Sequence, residues 1–309
     1  MEVFDTIVIG GGPAGLTALL YLGRGLTNSL LLEGFGVGGQ VILTDTIENY
    51  AGFPGGIAAF ELVERMEAQA REFCGRIETL EVQEIIDIDK PLKTVVCSTG
   101  ETFGAKAIII ASGAKARKAN VHGEEEFKAR GVSYCGTCDG AFFKDKVIAT
   151  LGGGDTCFDE TVFLSRFAKK IYLIHRRQGF RAAPIAVDRV KKIDKVEFVL
   201  DTVIDEIIGT KSVEGVNVRN VITNEKKTIA LDGVFVFVGL DPTTAFLKNS
   251  GIAMSSAGYI MVNPNMETNI KGIYAAGDVT EKSERQIATA VGDATIAACQ
   301  VIKYLDAMK

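Results

Sequence analysis

Two stretches, DTIVIGGGPAG at residues 5–15 and KVIATLGGGDTC at residues 146–157, decide the fold class of this chain. Each begins as a short apolar strand, passes through a glycine-rich turn and continues with the periodicity of a helix. Further apolar strands are predicted after these helices, at residues 29–33 and 170–176. A strand, a crossover helix and a parallel strand form a βαβ unit, so the sequence predicts two such units. The expected fold is α/β, with two Rossmann-like dinucleotide-binding domains.

The remaining strand patterns indicate that the second domain is inserted into the first. Apolar strands are predicted at residues 107–112, 233–239 and 272–278, and a helix from about Arg285 to the end. The outer domain would comprise residues 1–113 plus 241–309, and the inner domain residues 114–240. The length of the chain suits two domains of roughly 150 residues each.

The first glycine turn predicts a dinucleotide site. Gly10, Gly12 and Gly15 fit the G-x-G-x-x-G pattern, which permits a tight turn, a close backbone approach to a pyrophosphate and close packing of helix on strand. The helix that follows offers free N–H groups to the phosphates. Glu33 ends the next strand, where a carboxylate accepts hydrogen bonds from ribose hydroxyls. The alternative is a glycine-rich turn without a ligand.

The second glycine turn has small Cys157 in place of the third glycine, and a basic cluster where the first unit has its acid. Arginine side chains attract the 2′-phosphate of NADP(H), whereas a carboxylate repels it. The pattern therefore favours NADPH over NADH, against the alternative of a solvated basic face. The residues predicted to bind NADPH are Gly152, Gly154, Asp155, Thr156, His175, Arg176, Arg177 and Arg181.

Of six cysteines, only Cys135 and Cys138 are close in sequence. In a reducing compartment a lone C-x-x-C indicates redox or metal chemistry rather than a structural framework. In a redox pair one thiolate attacks and the other resolves, and the adjacent Asp139 can transfer protons. A zinc site needs four ligands, but no second C-x-x-C exists and His122 has no companion, so zinc is disfavoured.

Composition excludes several function classes. A net charge of −5 argues against nucleic acid or an anionic membrane as the main partner. No apolar run approaches the roughly 18–20 residues of a membrane span, and the N-terminus shows no signal peptide. The chain is therefore expected in the cytoplasm. The presence of only two histidines disfavours His-based zinc sites and Ser/His hydrolases.

Together these motifs resemble the low-molecular-weight thioredoxin reductases of bacteria and archaea over nearly the whole chain. The resemblance implies FAD in the outer domain, NADPH in the inner domain and a homodimer. It also implies that Cys138 exchanges electrons with the flavin and that Cys135 attacks the disulfide of a thioredoxin-like protein. The similar segments are GGGPAG at 10–15, GGQ at 38–40, ENYAGFPGG at 48–56, ARGVSYCGTCDGAFF at 129–143, GGGD at 152–155, HRRQGFRA at 175–182, AAGDV at 275–279 and RQI at 285–287.

The same resemblance implies which residues bind FAD. The last helix would bring its positive N-terminus to the flavin ring, which stabilises negative charge on the reduced flavin. The implied FAD residues are Gly10, Gly12, Gly15, Glu33, Gly39, Gln40, Asn49, Gly277, Asp278, Arg285, Gln286 and Ile287. The chain departs from the family pattern at Ala51, Ser112, Cys157, Asp159 and residues 290–294, which weakens the assignment of the electron donor slightly.

Two alternatives stay open. A flavoprotein of the same build could take electrons from NADH or ferredoxin, and a flavin redox sensor could hold FAD without turnover. In the NADPH-dependent reductase that the resemblance implies, the dithiol and the nicotinamide belong to the inner domain and the flavin to the outer one. The inner domain is therefore expected to rotate about its two connections, near residues 113–117 and 239–243.

Overall fold

The computed structural model describes residues 1–43, 46–73 and 75–308, so Cys74 lies outside the described residues. The α-helices of this part of the chain are α1 (Pro13–Arg24), α2 (Ala59–Glu72), α3 (Gly136–Asp139), α4 (Asp155–Leu164), α5 (Pro184–Lys191) and α6 (Ile287–Asp306). Its strands are β1 (Glu2–Ile9), β2 (Ser29–Glu33), β3 (Thr46–Ile47), β4 (Ile57–Ala58), β5 (Arg76–Thr79), β6 (Val82–Ile86), β7 (Lys93–Cys97), β8 (Thr102–Ile110), β9 (Ala114–Ala116), β10 (Val132–Ser133), β11 (Val147–Gly152), β12 (Lys170–Ile174), β13 (Val196–Val199), β14 (Thr202–Gly209), β15 (Val213–Asn220), β16 (Lys226–Ala230), β17 (Gly233–Phe237), β18 (Leu240–Pro242) and β19 (Ile273–Ala275).

The described residues divide into two compact units. The first unit comprises residues 1–42, 46–73, 75–115 and 241–308, and the second comprises Leu43 and residues 116–240. Each unit contains one of the two glycine turns.

The first unit is built on a sheet whose strand order is β5-β2-β1-β8-β7-β6, with β19 paired to β8. Strands β5, β2, β1, β8 and β19 are parallel, whereas β6 and β7 join as an antiparallel extension. Because successive side chains point to opposite faces, Val8 packs with α1 and α6 while Ile7 and Ile9 enter the core on the other face. Burial on both faces explains the continuous apolar run of β1.

The second unit contains a parallel sheet in the order β10-β17-β11-β12-β13 and a separate antiparallel sheet, β14-β15-β16. Phe158 of α4 and Val190 of α5 share one core with Ile148 of β11. Ala149, the next residue of β11, packs into a second core with Val216 of the antiparallel sheet. The sequence patterns gave no prediction for this antiparallel sheet, which covers the face of the parallel sheet opposite α4 and α5.

The two connections between the units, strands β9 and β18, pair with each other. The Arg117 N–H donates to the Gly239 carbonyl at 2.9 Å, and the Thr243 N–H donates to the Gly113 carbonyl at 3.0 Å. Gly113 and Gly239 have φ values of 65° and 126°, which favour glycine. The segments predicted to act as a hinge are thus hydrogen-bonded to each other.

Several predicted elements are shorter in the structure. The strand predicted at 170–176 ends at Ile174, and the one predicted at 272–278 covers only Ile273–Ala275. The second ends early because Gly277, with φ of 80°, turns the chain into a short 3₁₀ helix. The helix expected from about Arg285 begins at Ile287, because Gln286 is its extended N-cap. None of the described helices is both long and apolar enough to cross a membrane.

Candidate active site

Glycine is needed for a different physical reason at Gly10 and Gly15 than at Gly12, the three glycines predicted to form the first turn. A Cβ at Gly10, where φ is 110°, would lie 2.3 Å from the Ala111 carbonyl oxygen, and one at Gly15 would lie 1.8 Å from the Gly10 carbonyl oxygen. A Cβ at Gly12 would meet no atom of the described residues within 4 Å. Gly10 and Gly15 are therefore required by packing, whereas Gly12 leaves space in front of α1. The N-cap Gly12 provides no side-chain hydrogen bond to the first turn of α1, whose N–H groups can bind an anion.

Glu33, at the end of β2, reaches back to this turn. Its carboxylate accepts hydrogen bonds from the Gly11 N–H at 2.5 Å and from the Phe35 N–H at 3.2 Å. These bonds place an acceptor beside the glycine turn, where the ribose of a dinucleotide would lie.

Gly39 and Gln40 also belong to this corner of the first unit. The Gly38 N–H donates to the Gly11 carbonyl at 2.9 Å, and a Cβ at Gly39 would lie 3.3 Å from the Gly12 Cα. Gln40 follows with an exposed side chain. The structure thus brings the Gly38–Gln40 segment against the first glycine turn.

Gly277, which precedes Asp278, packs against Ala14 in the first turn of α1. A Cβ at Gly277 would lie 2.8 Å from Ala14 Cβ, so only glycine permits this approach. Burial raises the pKa of the Asp278 carboxyl, and the nearby Lys282 and Arg285 oppose this shift. Within the part of the chain that the structure describes, its buried Oδ1 has no hydrogen-bond partner. An unpartnered buried acceptor is costly, and a ligand hydroxyl, such as one on the ribityl chain of FAD, would satisfy it.

The N-terminus of α6 is fixed by polar contacts. Asn49 Nδ2 donates to Gln286 Oε1 at 3.0 Å, although 237 positions separate the two residues in sequence. Gln286 also forms a capping box with Thr289, ahead of Ile287, the first residue of the helix. Asn49, Gln286 and Ile287, all predicted FAD residues, are therefore brought to one helix end.

Arg285 has a different surrounding. Its guanidinium lies 3.9 Å from the centre of the Tyr259 ring. It also donates hydrogen bonds to the backbone carbonyls of Asp278 at 3.4 Å, Thr280 at 3.3 Å and Lys282 at 3.2 Å. The side chain therefore braces the loop before α6 and acts on the predicted site through that loop.

Asp293 was not predicted. It accepts hydrogen bonds from the Gly277 N–H at 3.0 Å and from Lys282 Nζ. No spacing in the sequence relates a residue in the second turn of α6 to Gly277, so pattern reasoning could not find it. The residues of this corner, with two helix N-termini, an open glycine and an unpartnered buried carboxylate oxygen, fit FAD.

The second glycine turn, in the second unit, repeats part of this arrangement. A Cβ at Gly152 would lie 2.4 Å from the Phe237 carbonyl oxygen, whereas one at Gly154 would meet nothing within 4 Å. Cys157, in the place of the third glycine, is buried, and burial raises the pKa of its thiol to about 12. The thiol is therefore neutral and acts as a small core residue. Asp155 and Thr156 form the first turn of α4.

His175 takes the place in this unit that Glu33 takes in the first. A Cβ at Gly153 would lie 2.2 Å from His175 Cε1. In the first unit, a Cβ at the corresponding Gly11 would lie 3.1 Å from the Glu33 carboxylate. Burial lowers the pKa of His175, and Arg176 and Arg177 lower it further, although hydrogen bonds to backbone carbonyls oppose the shift. A neutral ring, rather than a carboxylate, therefore covers the second turn.

The arginine loop that follows His175 is tied to the second glycine turn. The Arg181 N–H donates to the Gly153 carbonyl at 2.8 Å, and the Ala183 N–H donates to Asp155 Oδ1 at 2.6 Å. Arg176, Arg177 and Arg181 are exposed. Backbone contacts thus tie the loop that carries three exposed arginines to the second glycine turn, and arginine side chains can pair with a phosphate.

Cys135 and Cys138 form a disulfide in the second unit, with their Cα atoms 5.4 Å apart. Cys138 is exposed and Cys135 is partly buried. The Ser133 hydroxyl donates to Asp139 Oδ2 at 2.6 Å and accepts the Cys135 N–H at 3.1 Å. Asp139, the predicted proton carrier, is therefore oriented by a residue that sequence reasoning missed.

A second missed contact holds the residue before Cys135. The Tyr134 hydroxyl donates to Glu124 Oε1 at 2.8 Å, and burial together with this carboxylate raises the pKa of Tyr134. Glu124 is itself buried and accepts the N–H groups of Ala119 and Asn120 at 2.8 and 2.6 Å. The loop leading to the disulfide is thus anchored by a buried and fully hydrogen-bonded carboxylate.

Comparison with known proteins identifies the relatives of this arrangement. A family model described as pyridine nucleotide-disulphide oxidoreductase matches residues 4–294. The thioredoxin reductase of Listeria monocytogenes is 41% identical over 309 residues, covering 100% of this chain and 96% of that protein.

Two solved structures are similar over their whole length. The thioredoxin reductase of Lactococcus lactis, in its FR conformation, has a TM-score of 0.96 at 41% identity and covers 98% of this chain and 99% of that one. The thioredoxin reductase of T. acidophilum has a TM-score of 0.93 at 34% identity, covering 100% of both chains. These matches confirm the predicted fold class and the resemblance drawn from the motifs.

Proposed function

Because the chain belongs to the pyridine nucleotide-disulphide oxidoreductase family, we propose that it is a thioredoxin-disulfide reductase that uses NADPH and FAD. The observation that carries the proposal is the Cys135–Cys138 disulfide, with Asp139 held beside it by Ser133. The same unit contains the second glycine turn and its arginine loop. One unit therefore combines a reducible disulfide with the features of a pyridine nucleotide site.

We assign FAD to the first unit. The N-terminus of α1 would bind the pyrophosphate, Glu33 the ribose and Asp278 a ribityl hydroxyl, while the N-terminus of α6 would face the flavin ring. In support, Asp278 Oδ1 is buried without a partner and Gly12 opens onto free space. Bound FAD supplies the two-electron link between a nicotinamide and a disulfide.

We assign NADPH to the second unit. The N-terminus of α4 would bind the pyrophosphate, and Arg176, Arg177 and Arg181 would pair with the 2′-phosphate. This assignment is supported by the exposed guanidinium groups at the turn and by the absence of an acid at position 175. A ribose-binding carboxylate there would instead favour NADH.

The residues of this chain then have distinct tasks in the reaction. Cys138 is the sulfur that accepts electrons from the flavin side, and Cys135 attacks the disulfide of a thioredoxin-like protein. Cys138 next resolves the mixed disulfide, which restores the Cys135–Cys138 bond and releases the reduced partner. Asp139 takes up and returns the protons, oriented by Ser133.

Three further properties belong to the proposal. The protein acts as a homodimer in the cytoplasm. The outer domain, residues 1–113 plus 241–309, carries FAD, and the inner domain, residues 114–240, carries the dithiol. The inner domain rotates about the paired connections β9 and β18, so that the flavin meets the dithiol and the nicotinamide in turn.

Steady-state turnover of the purified protein with NADPH and with NADH, each against oxidised thioredoxin, tests the function. We expect a yellow protein that oxidises NADPH repeatedly and prefers it to NADH. The Cys138→Ser variant should still bleach its flavin with NADPH yet fail to reduce thioredoxin. A colourless protein, or full turnover by that variant, would overturn the proposal. Turnover supported only by ferredoxin, or a single bleaching without turnover, would indicate the alternative electron donor or a sensor.

A further inference from the structure

Glu160 is a buried acid that the proposed reaction does not use. It lies on α4, the helix that begins at the second glycine turn, and is 4% exposed. A Cβ at Gly136 would lie 2.0 Å from Glu160 Oε2. Gly136 follows Cys135 inside the disulfide ring. The Glu160 carboxyl group therefore occupies the space behind the redox pair that any side chain at position 136 would take.

Backbone conformation does not explain the glycine at position 136. Gly136 is the first residue of α3 and is not among the residues with positive φ. An L-amino acid can adopt this helical conformation without strain. The glycine is therefore accounted for by space, because only its lack of a Cβ lets the Glu160 carboxyl group approach the Cys135–Cys138 loop.

Burial disfavours the charged form of a carboxyl group, but a carboxylate that stays ionised in the interior acts strongly on its neighbours, because charges interact more strongly there than in water. The disulfide carries no charge, whereas the reduced pair can form a thiolate, which a nearby negative charge disfavours. We propose that Glu160 is ionised and that, admitted by Gly136, it sets the equilibrium between the Cys135–Cys138 disulfide and its dithiol by opposing the thiolate. This inference rests on the proposed redox role of the pair and makes the reduced pair a stronger reductant.

The experiment measures that equilibrium in the holoenzyme without thioredoxin or NADPH. In buffers of oxidised and reduced dithiothreitol, the dithiol of the protein and the dithiothreitol disulfide exchange two electrons and two protons, giving the protein disulfide and the dithiothreitol dithiol. Alkylation followed by mass measurement of the peptide with both cysteines gives the reduced fraction. We expect Glu160→Gln to shift the equilibrium toward the dithiol by about threefold to tenfold, or about 15–30 mV.

A second variant moves the carboxyl group without removing its charge. Gly136→Ala should displace the flexible end of Glu160 and shift the equilibrium in the same direction, by a smaller factor. The rate at which iodoacetamide alkylates the reduced holoenzyme should rise in both variants, because only the thiolate reacts. The pH at which this rate reaches half its maximum should also fall, whereas looser packing alone would raise the maximal rate without that shift.

Two control variants distinguish loss of the Glu160 charge from a disturbance of the fold. Glu197→Gln removes an exposed carboxylate from the same unit, where Glu197 pairs with Lys170, and should leave the equilibrium unchanged. Glu160→Asp keeps the charge and should stay within about twofold of the wild type. An unchanged equilibrium in a folded Glu160→Gln holoenzyme would overturn the inference. Should that variant fail to fold, no shift in Gly136→Ala would overturn it equally.

The outcomes also separate this inference from the proposed function. Failure of the wild type to reduce thioredoxin would overturn the function, while the dithiothreitol equilibrium would still report on Glu160.

Discussion

The Ser133 hydroxyl donates to Asp139 Oδ2 at 2.6 Å and lies 3.1 Å from the Cys135 carbonyl oxygen, while the hydroxyl oxygen accepts the Cys135 N–H at 3.1 Å. One side chain therefore connects the residues at the two ends of the CGTCD segment. Since Ser133 is buried and belongs to β10, the direction of the Asp139 carboxylate is set by the parallel sheet.

Removing this hydroxyl should slow the exchange of disulfides. We expect Ser133→Ala to lower kcat for thioredoxin reduction by about tenfold, since a hydrogen bond to a charged group contributes about 1.5–3 kcal/mol. Flavin bleaching by NADPH in the first turnover should be unchanged. Ser165→Ala is the matched control, because that hydroxyl donates only to the Val162 carbonyl. Equal kcat values for the Ser133 and Ser165 variants would contradict the positioning role.

Gly12 and Gly15 should respond differently to replacement by alanine. Gly15→Ala places a Cβ 1.8 Å from the Gly10 carbonyl oxygen and should prevent folding or lower the melting temperature strongly. The new methyl group of Gly12→Ala meets none of the described atoms within 4 Å. The chain should therefore fold but lose FAD, because the methyl group occupies the approach to the pyrophosphate.

The ratio of flavin to protein absorbance and the circular dichroism spectrum check these expectations. Gly154→Ala, the equivalent change in the second unit, serves as the control and should retain FAD while weakening NADPH binding. A yellow Gly12→Ala protein would show that the pyrophosphate does not approach this glycine.

The arginine loop should discriminate between the two nicotinamide cofactors. Replacing Arg176, Arg177 and Arg181 by glutamine should raise KM for NADPH about a hundredfold and change KM for NADH by less than about threefold. Three charge-assisted contacts to the 2′-phosphate would be lost only with NADPH. Steady-state kinetics with both cofactors measure the difference. Lys226 and Lys227, exposed on β16, give a control double variant, and equal effects on both cofactors would show that the arginines do not contact the 2′-phosphate.

Asp278 should make the FAD-free protein sensitive to pH. Since burial raises the pKa of this carboxyl above its ordinary value, its contribution to stability is full in acid and is lost as the pH rises through the raised value. Asp278→Asn should therefore raise the melting temperature of the FAD-free protein at pH 8, and the gain should vanish toward pH 3. A gain that does not depend on pH would contradict this origin.

The same variant should bind FAD at least about tenfold more weakly, because an amide replaces one carboxylate oxygen that would accept from the ribityl chain. Equilibrium dialysis of FAD at pH 8 measures the loss. Asp241→Asn, in the same unit but at its connection to the other, should leave FAD affinity unchanged.

The sequence predicted those features that depend on neighbouring residues. The glycine turns, Glu33 and the Cys135–Cys138 pair have fixed local spacing, and the structure places each predicted FAD residue at one corner of the first unit. The Arg285 side chain differs, since it braces a loop next to Tyr259.

Features that depend on tertiary packing could not be predicted. Ser133 reads as an ordinary strand residue, and Glu160 reads as a polar position on α4. Their roles depend on which surface of each element faces the CGTC segment, and hydrophobic periodicity does not contain that information. The antiparallel sheet β14–β16 was missed for the same reason, since strand order is decided by pairing between distant segments.

The pairing of strands β9 and β18 makes the inner domain easy to exchange between proteins. Because they are neighbours, the inner segment leaves and re-enters the outer one at almost the same point, with the Arg117 N–H only 2.9 Å from the Gly239 carbonyl oxygen. A domain whose two ends lie close together can be removed from one protein or inserted into another without distorting the backbone of the surrounding domain. If the proposed assignment of NADPH to the inner domain and FAD to the outer domain is right, exchanging the inner domain between relatives should change the electron donor while the host retains its flavin.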